Sequence, residues 1–182
     1  MGSKSKGGDF ERNICKFLSF WIQGSEKPYL LWRQPASGGM ATISEENIGL
    51  TGDIRSISPL SEFLTDRYNI ECKNGYDEAS LDKHLKYNKT DPLRDFWIQT
   101  TNDATKSNKY PMLVYRKKGL STPWIGISTV NYNDLYDYLK SLRFIHLHWG
   151  MDDLIDTYLF EMKEFFSTIT PYIIKGKINV KS

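Results

Sequence analysis

The 182 residues, 40% hydrophobic and 14% aromatic, are enough for one packed domain with additions and exclude a wholly disordered chain. With 24 basic and 22 acidic side chains the formal charge is only +2, which excludes a nucleic-acid binder that works by overall charge. Two cysteines without C-x-x-C spacing suggest neither a disulfide framework nor a zinc site, and the absence of a signal-like or membrane-length apolar run leads to the expectation of a soluble, cytoplasmic protein without a membrane partner.

Residues 1–8 are polar and glycine-rich and read as a flexible N-terminal arm. Asp9 is the expected N-cap of a helix running to Gln23, with Gly24 as its stop. Phe10, Ile14, Phe17, Leu18 and Trp21 form its apolar stripe, and Glu11 sits at the head of it. Two readings of Glu11 are open. A carboxylate on a core-facing stripe needs a partner or a cation, whereas a first-turn acid is favoured by the helix dipole while still solvated.

Tyr29–Arg33 is the first expected strand. A loop rich in Pro and Gly follows, with Pro35, Ser37, Gly38 and Gly39. It is either a plain connection or a place where backbone N–H groups approach a phosphate. Ile48–Ile57 reads as the second strand, with Asp53 and Arg55 on one face and Gly52 leaving room beside the carboxylate. Pro59–Arg67 predicts a short helix or wide turn. Strict alternation over Tyr68–Lys73 then predicts a half-buried strand: Tyr68, Ile70 and Cys72 toward a core, Asn69, Glu71 and Lys73 on the other face. A compact connection would let the strands of Asp53 and Glu71 lie as antiparallel neighbours. Two hard oxygen ligands beside a fixed cation suit a divalent metal over a phosphate.

Asn74-Gly75 marks a turn after that strand. Leu81–Asn88 is weakly helical, with Lys83, Lys86 and Lys89 on its exposed side. Pro92 fits the first position of a helix capped by Asp91, with Leu93, Phe96, Trp97, Thr100 and Ala104 as its core face and Gln99 flanking it. Tyr110–Arg116 and Trp124–Ser128 predict a hairpin. Beyond it, Asn131–Leu142 and Asp152–Phe166 read as amphipathic helices. His146 and His148 share a strand face, a pair able to bind a metal but lacking a third ligand of matching signature.

Gly52-Asp53 on one segment and Glu71-Cys72-Lys73 on the next resemble the PD-(D/E)XK nuclease superfamily, the fold of restriction endonucleases and archaeal Holliday-junction resolvases, in a phage-endonuclease branch. The family's proline before the aspartate is absent. The resemblance covers roughly residues 8 to 128 and implies an α/β protein with an αβββαβ core, a mixed sheet flanked by helices. The expected division is an arm (1–8), a nuclease core (9–130) and a C-terminal helical extension packed on the core (131–182). It implies a Mg²⁺-dependent DNA endonuclease, with Mn²⁺ able to substitute. Asp53, Glu71 and the Cys72 backbone carbonyl would bind the metal. Phe10-Glu11-Arg12 is similar to the first-helix motif of resolvase-like members, which adds Glu11. Lys73 would orient the water or stabilise charge, Gln99 would be a secondary site residue, and Arg33 and Ser37 would contact DNA phosphates. The implied partner is DNA, branched or duplex; the resolvase-like likeness suggests branched DNA and a homodimer, and nicking or trimming of duplex DNA is equally compatible with the motifs. The alternative is a non-catalytic DNA-binding or assembly module that kept the fold; a further one is an unrelated α/β protein in which Glu71 and Lys73 form a surface ion pair.

Overall fold

A computed structural model describes residues 3–34, 51–76, 92–149 and 156–178. The first helix, α1, spans Ser3–Gln23 and ends where Gly24, at φ +76°, closes it with a bond from its N–H to the Phe20 carbonyl (2.7 Å). It therefore starts before the expected cap. Asp9 lies inside it and pairs with Arg12 one turn on, because extending an existing helix adds a bond per residue without needing an apolar face. The short strands β1 (Leu31–Arg33) and β2 (Ile54–Ser56) form an antiparallel ribbon. After a 3₁₀ turn at Pro59–Ser61 and α2 (Glu62–Arg67), β3 runs from Tyr68 to Tyr76.

Helix α3 (Pro92–Lys106) returns the chain to β4 (Tyr110–Lys117), which pairs parallel with β3. Strand β5 (Trp124–Ser128) makes the expected antiparallel hairpin with β4. The segment expected as one helix over Asn131–Leu142 is two, α4 (Thr129–Asp134) and α5 (Tyr136–Leu139), with Leu135 between them out of helical geometry. Strands β6 (Ile145–Leu147) and β7 (Thr157–Glu161) follow, then α6 (Met162–Thr168) and α7 (Pro171–Ile178). The main sheet has the order β3-β4-β5-β7-β6, a mixed sheet with helices on both faces, as expected of a restriction-endonuclease-like α/β core.

Three expectations change. Strand β2 is not a ladder neighbour of β3; it pairs with β1 in a separate two-stranded sheet. Strand β3 is buried on both faces rather than half-buried, and it continues past Asn74 through an irregularity at Gly75. The helix expected over Asp152–Phe166 is in its described part strand β7 followed by α6. Thr157-Tyr158-Leu159-Phe160 is a β-branched and aromatic run that the open edge of β5 takes up, a choice that short apolar runs leave to tertiary contacts. Residue 130 lies in α4, between β5 and β7, which pair in the sheet.

The sheet separates two cores. Tyr68, Ile70, Cys72, Met112, Val114 and Phe160 join Phe10, Ile14 and Leu18 of α1 on one face. On the other, Leu113, Tyr115 and Leu159 meet Leu93 and Trp97 of α3. Glu71 and Lys73 belong to this second face by alternation, so α3 roofs them. No helix among the described residues is long and apolar enough to cross a membrane.

Candidate active site

Strand β3 is one edge of the main sheet, and its outer side receives Asp53. The Asp53 N–H donates to the Ile70 carbonyl (2.8 Å), and its own carbonyl accepts from the Gln34 N–H (2.7 Å). Its side-chain Oδ2 accepts from the Cys72 N–H (2.8 Å). The residue is thus held against β3 by its own N–H and by one carboxylate oxygen, without a continuous ladder. Gly52 makes this approach possible. Its φ is +85°, and a β-carbon there would lie 2.9 Å from Asn69 Oδ1 and 3.0 Å from the Ile70 carbonyl. The N–H and C=O of a strand residue point to the same side, so the Cys72 carbonyl faces the edge on which Asp53 docks.

Glu71, 5% exposed, gathers the other groups. Lys73 Nζ donates to Glu71 Oε1 at 2.6 Å, and Gln99 Nε2, reaching from α3, donates to the same oxygen at 3.3 Å. The Lys73 ammonium also lies over the Phe96 ring, 5.4 Å from its centre. Burial and the nearby Asp53 charge push the Glu71 carboxyl up to about 7, against the opposing pull of Lys73. Burial alone would lower the Lys73 ammonium, but Glu71 and Asp53 outweigh it and its pKa rises. Lys73 therefore remains a cation and is no proton acceptor at neutral pH. Two buried carboxylates that one lysine does not fully compensate form a hard-oxygen donor set, and it fits a divalent cation.

Glu11 lies near this pair. Burial and then the Asp53 charge raise its carboxyl. Arg33 takes it as an ion pair, Nε to Oε2 at 3.1 Å. Among the described residues no three His, Cys, Asp or Glu side chains form a group that could hold a metal ion. Ser37 and the lysines at 83, 86 and 89 lie outside the described residues.

Some polar groups carried no sequence signal. Asn69 shares the β3 face of Glu71, but that it is 1% exposed with neither amide atom paired among the described residues is visible only in the fold; the Thr51 hydroxyl is likewise buried without a partner among them. At the opposite edge of the sheet the two imidazoles that alternation put together both take Asp156 Oδ2, His146 at 3.1 Å and His148 at 2.9 Å. Asp156 Oδ1 accepts from the Trp149 N–H (3.2 Å). Burial would raise the Asp156 carboxyl, but these bonds hold it below its usual value.

A mixed sheet flanked by helices, with Asp53 brought beside Glu71-Cys72-Lys73, is the arrangement expected of the PD-(D/E)XK class of nucleases. The family model described as "Phage putative PDDEXK endonuclease" matches residues 2–175, and the chain belongs to that family. The match extends well past the region in which the sequence motifs lie. No curated protein and no solved structure matches the chain significantly.

Proposed function

We propose that the protein is a metal-dependent DNA endonuclease acting through Asp53, Glu71 and Lys73, with Mg²⁺ as its cation and Mn²⁺ able to replace it. The observation that carries this reading is the pair of buried carboxylates, Asp53 clamped to the β3 edge and Glu71 raised by burial and by Asp53, with the Lys73 ammonium on Glu71 Oε1. Asp53, Glu71 and the Cys72 carbonyl would hold the cation, and Glu11 would join them directly or through water. When bound, such an ion supplies Lewis-acid polarisation of a phosphodiester.

The protein's own groups do the rest. Lys73 carries a fixed positive charge toward the developing negative charge of the pentacoordinate phosphate. Glu71 holds Lys73 in place, and the Gln99 amide steadies the same carboxylate oxygen. Arg33 and Ser37 would take phosphate oxygens of the strand being cut. Branched DNA and a two-fold dimer are the resolvase-like form of this reading, and its support is the likeness of the Phe10-Glu11-Arg12 motif.

The test is cleavage of a labelled four-way junction beside its linear duplex, with Mg²⁺, Mn²⁺ or EDTA, by wild type, Glu71→Ala and Lys73→Ala. Metal-dependent cutting that falls by at least about 10³-fold in both variants is expected, from loss of a ligand and of a charge-stabilising group. Preference for the junction would give the substrate class. Retained DNA binding without any cutting would replace this reading with a non-catalytic binding module.

A further inference from the structure

Arg33 ends β1 where it crosses α1, and its head group lies on Gly8. A β-carbon at Gly8 would come within 2.7 Å of Arg33 Nη1 and 3.3 Å of Cζ. Glycine inside a helix costs roughly 1 kcal/mol relative to alanine, so α1 carries an unfavourable residue at the point where the arginine needs room. Glu11, one turn further along α1, meets Arg33 Nε at 3.1 Å. That nitrogen is buried, yet among the described residues no acceptor is aligned for a hydrogen bond to it. The pair is held by charge, with its buried donor unused. The contact is close, but poorly formed.

Two demands meet here. On the reading proposed above, Glu11 contributes to a cation beside Asp53 and Glu71, and Arg33 contacts phosphate. While they neutralise each other, neither is fully available. Resting on that reading, we infer that Glu11 and Arg33 form a latch: a divalent cation takes Glu11 from Arg33, and the freed guanidinium turns to a phosphodiester oxygen of the DNA. A guanidinium meets phosphate with two parallel N–H bonds, a better geometry than the single misaligned approach to Glu11. Cation and phosphate binding then favour each other, and the coupling is reciprocal.

Removing Arg33 would strengthen cation binding through charge alone, so the test needs variants that separate a latch from a field effect. Mn²⁺ affinity of the whole protein is measured by calorimetry and by the paramagnetic resonance of free Mn²⁺. Gly8→Ala keeps every charge and displaces only the tip of a flexible side chain; it is expected to tighten Mn²⁺ about 5- to 10-fold, as is Arg33→Met. In a Glu11→Gln background Arg33→Met should change affinity by no more than about twofold, because coupled residues lose their effect once the partner is gone. Equal tightening with and without Glu11 would make the effect one of general charge and overturn the latch. So would wild-type affinity in both Gly8→Ala and Arg33→Met while Glu71→Ala loses Mn²⁺, an outcome that leaves the metal reading standing. A folded wild type that binds no Mn²⁺ would overturn both. Should Gly8→Ala fail to fold by circular dichroism, the Glu11 and Arg33 cycle decides alone. The phosphate half is read from duplex binding in Ca²⁺ against EDTA: the gain with cation should shrink several-fold in Arg33→Met, and an undiminished gain would overturn it.

Discussion

At the scale of single residues, Gly52 carries more of the site than its size suggests. It provides the left-handed turn that lets Asp53 touch β3 through one backbone donor and one carboxylate oxygen. An alanine there must adopt a positive φ and push against the Ile70 carbonyl, which is backbone and cannot swing aside. Gly52→Ala should cost about 1–3 kcal/mol of stability, read from urea unfolding, and should weaken Mn²⁺ binding by displacing Asp53. A fully stable variant with unchanged Mn²⁺ affinity would show that the turn does not position the carboxylate. The close pairing of Gly and Asp is readable in the chain. That the glycine faces Asn69 and Ile70, and not solvent, is not, because the contact joins segments that the sequence separates.

At the scale of elements, the site exists because α3 covers the sheet face on which Glu71 and Lys73 stand. Trp97, wholly buried, anchors that helix against Leu113 and Leu159 through the second core. Trp97→Ala should destabilise the protein by about 3–5 kcal/mol, the usual cost of deleting a large buried aromatic, measured by urea or thermal unfolding. A loss below about 1 kcal/mol would mean that the helix rests on other contacts. The apolar period of α3 is plain in the chain, since Leu93, Trp97, Thr100 and Ala104 recur at helical spacing and all are buried. Strand β7 is the opposite case. Its run of apolar and aromatic residues fits either period, and pairing with β5 settles it.

At the scale of the whole molecule, the site is a place where folding and ionisation oppose each other. The Glu71 carboxyl is raised from 4.5 to about 7 by burial and by Asp53. Between those values the folded state binds more protons than the unfolded one, so metal-free stability falls as pH rises through this window. The loss attributable to Glu71 is up to about 3 kcal/mol, from the size of the shift. Glu71→Gln should be nearly as stable as wild type near pH 4.5 and more stable above pH 7, by urea unfolding in EDTA at a series of pH values. A difference that does not change with pH would show that Glu71 ionises freely in the fold. Asp134 and Asp156, both lowered by their partners, act with the opposite sign and only at more acidic pH, where their protonation removes stability.

Much of this protein was determined by local pattern. Helix spacing placed the core faces of α1 and α3, alternation put Glu71 and Lys73 on one side of β3, and the order of motifs pointed to the PD-(D/E)XK class that the family match bears out. These depend on periodicity within a few residues, which a single chain displays directly. Tertiary structure alone decided that β2 pairs with β1, that Asp53 docks on the free edge of β3, and that β6 and β7 complete the sheet. It also decided that Arg33 lies on Gly8 beside Glu11. Each of these joins segments distant in the chain, and which partner a strand edge or a charged side chain takes is set by the free energy of the assembled fold, not by the residues next to it.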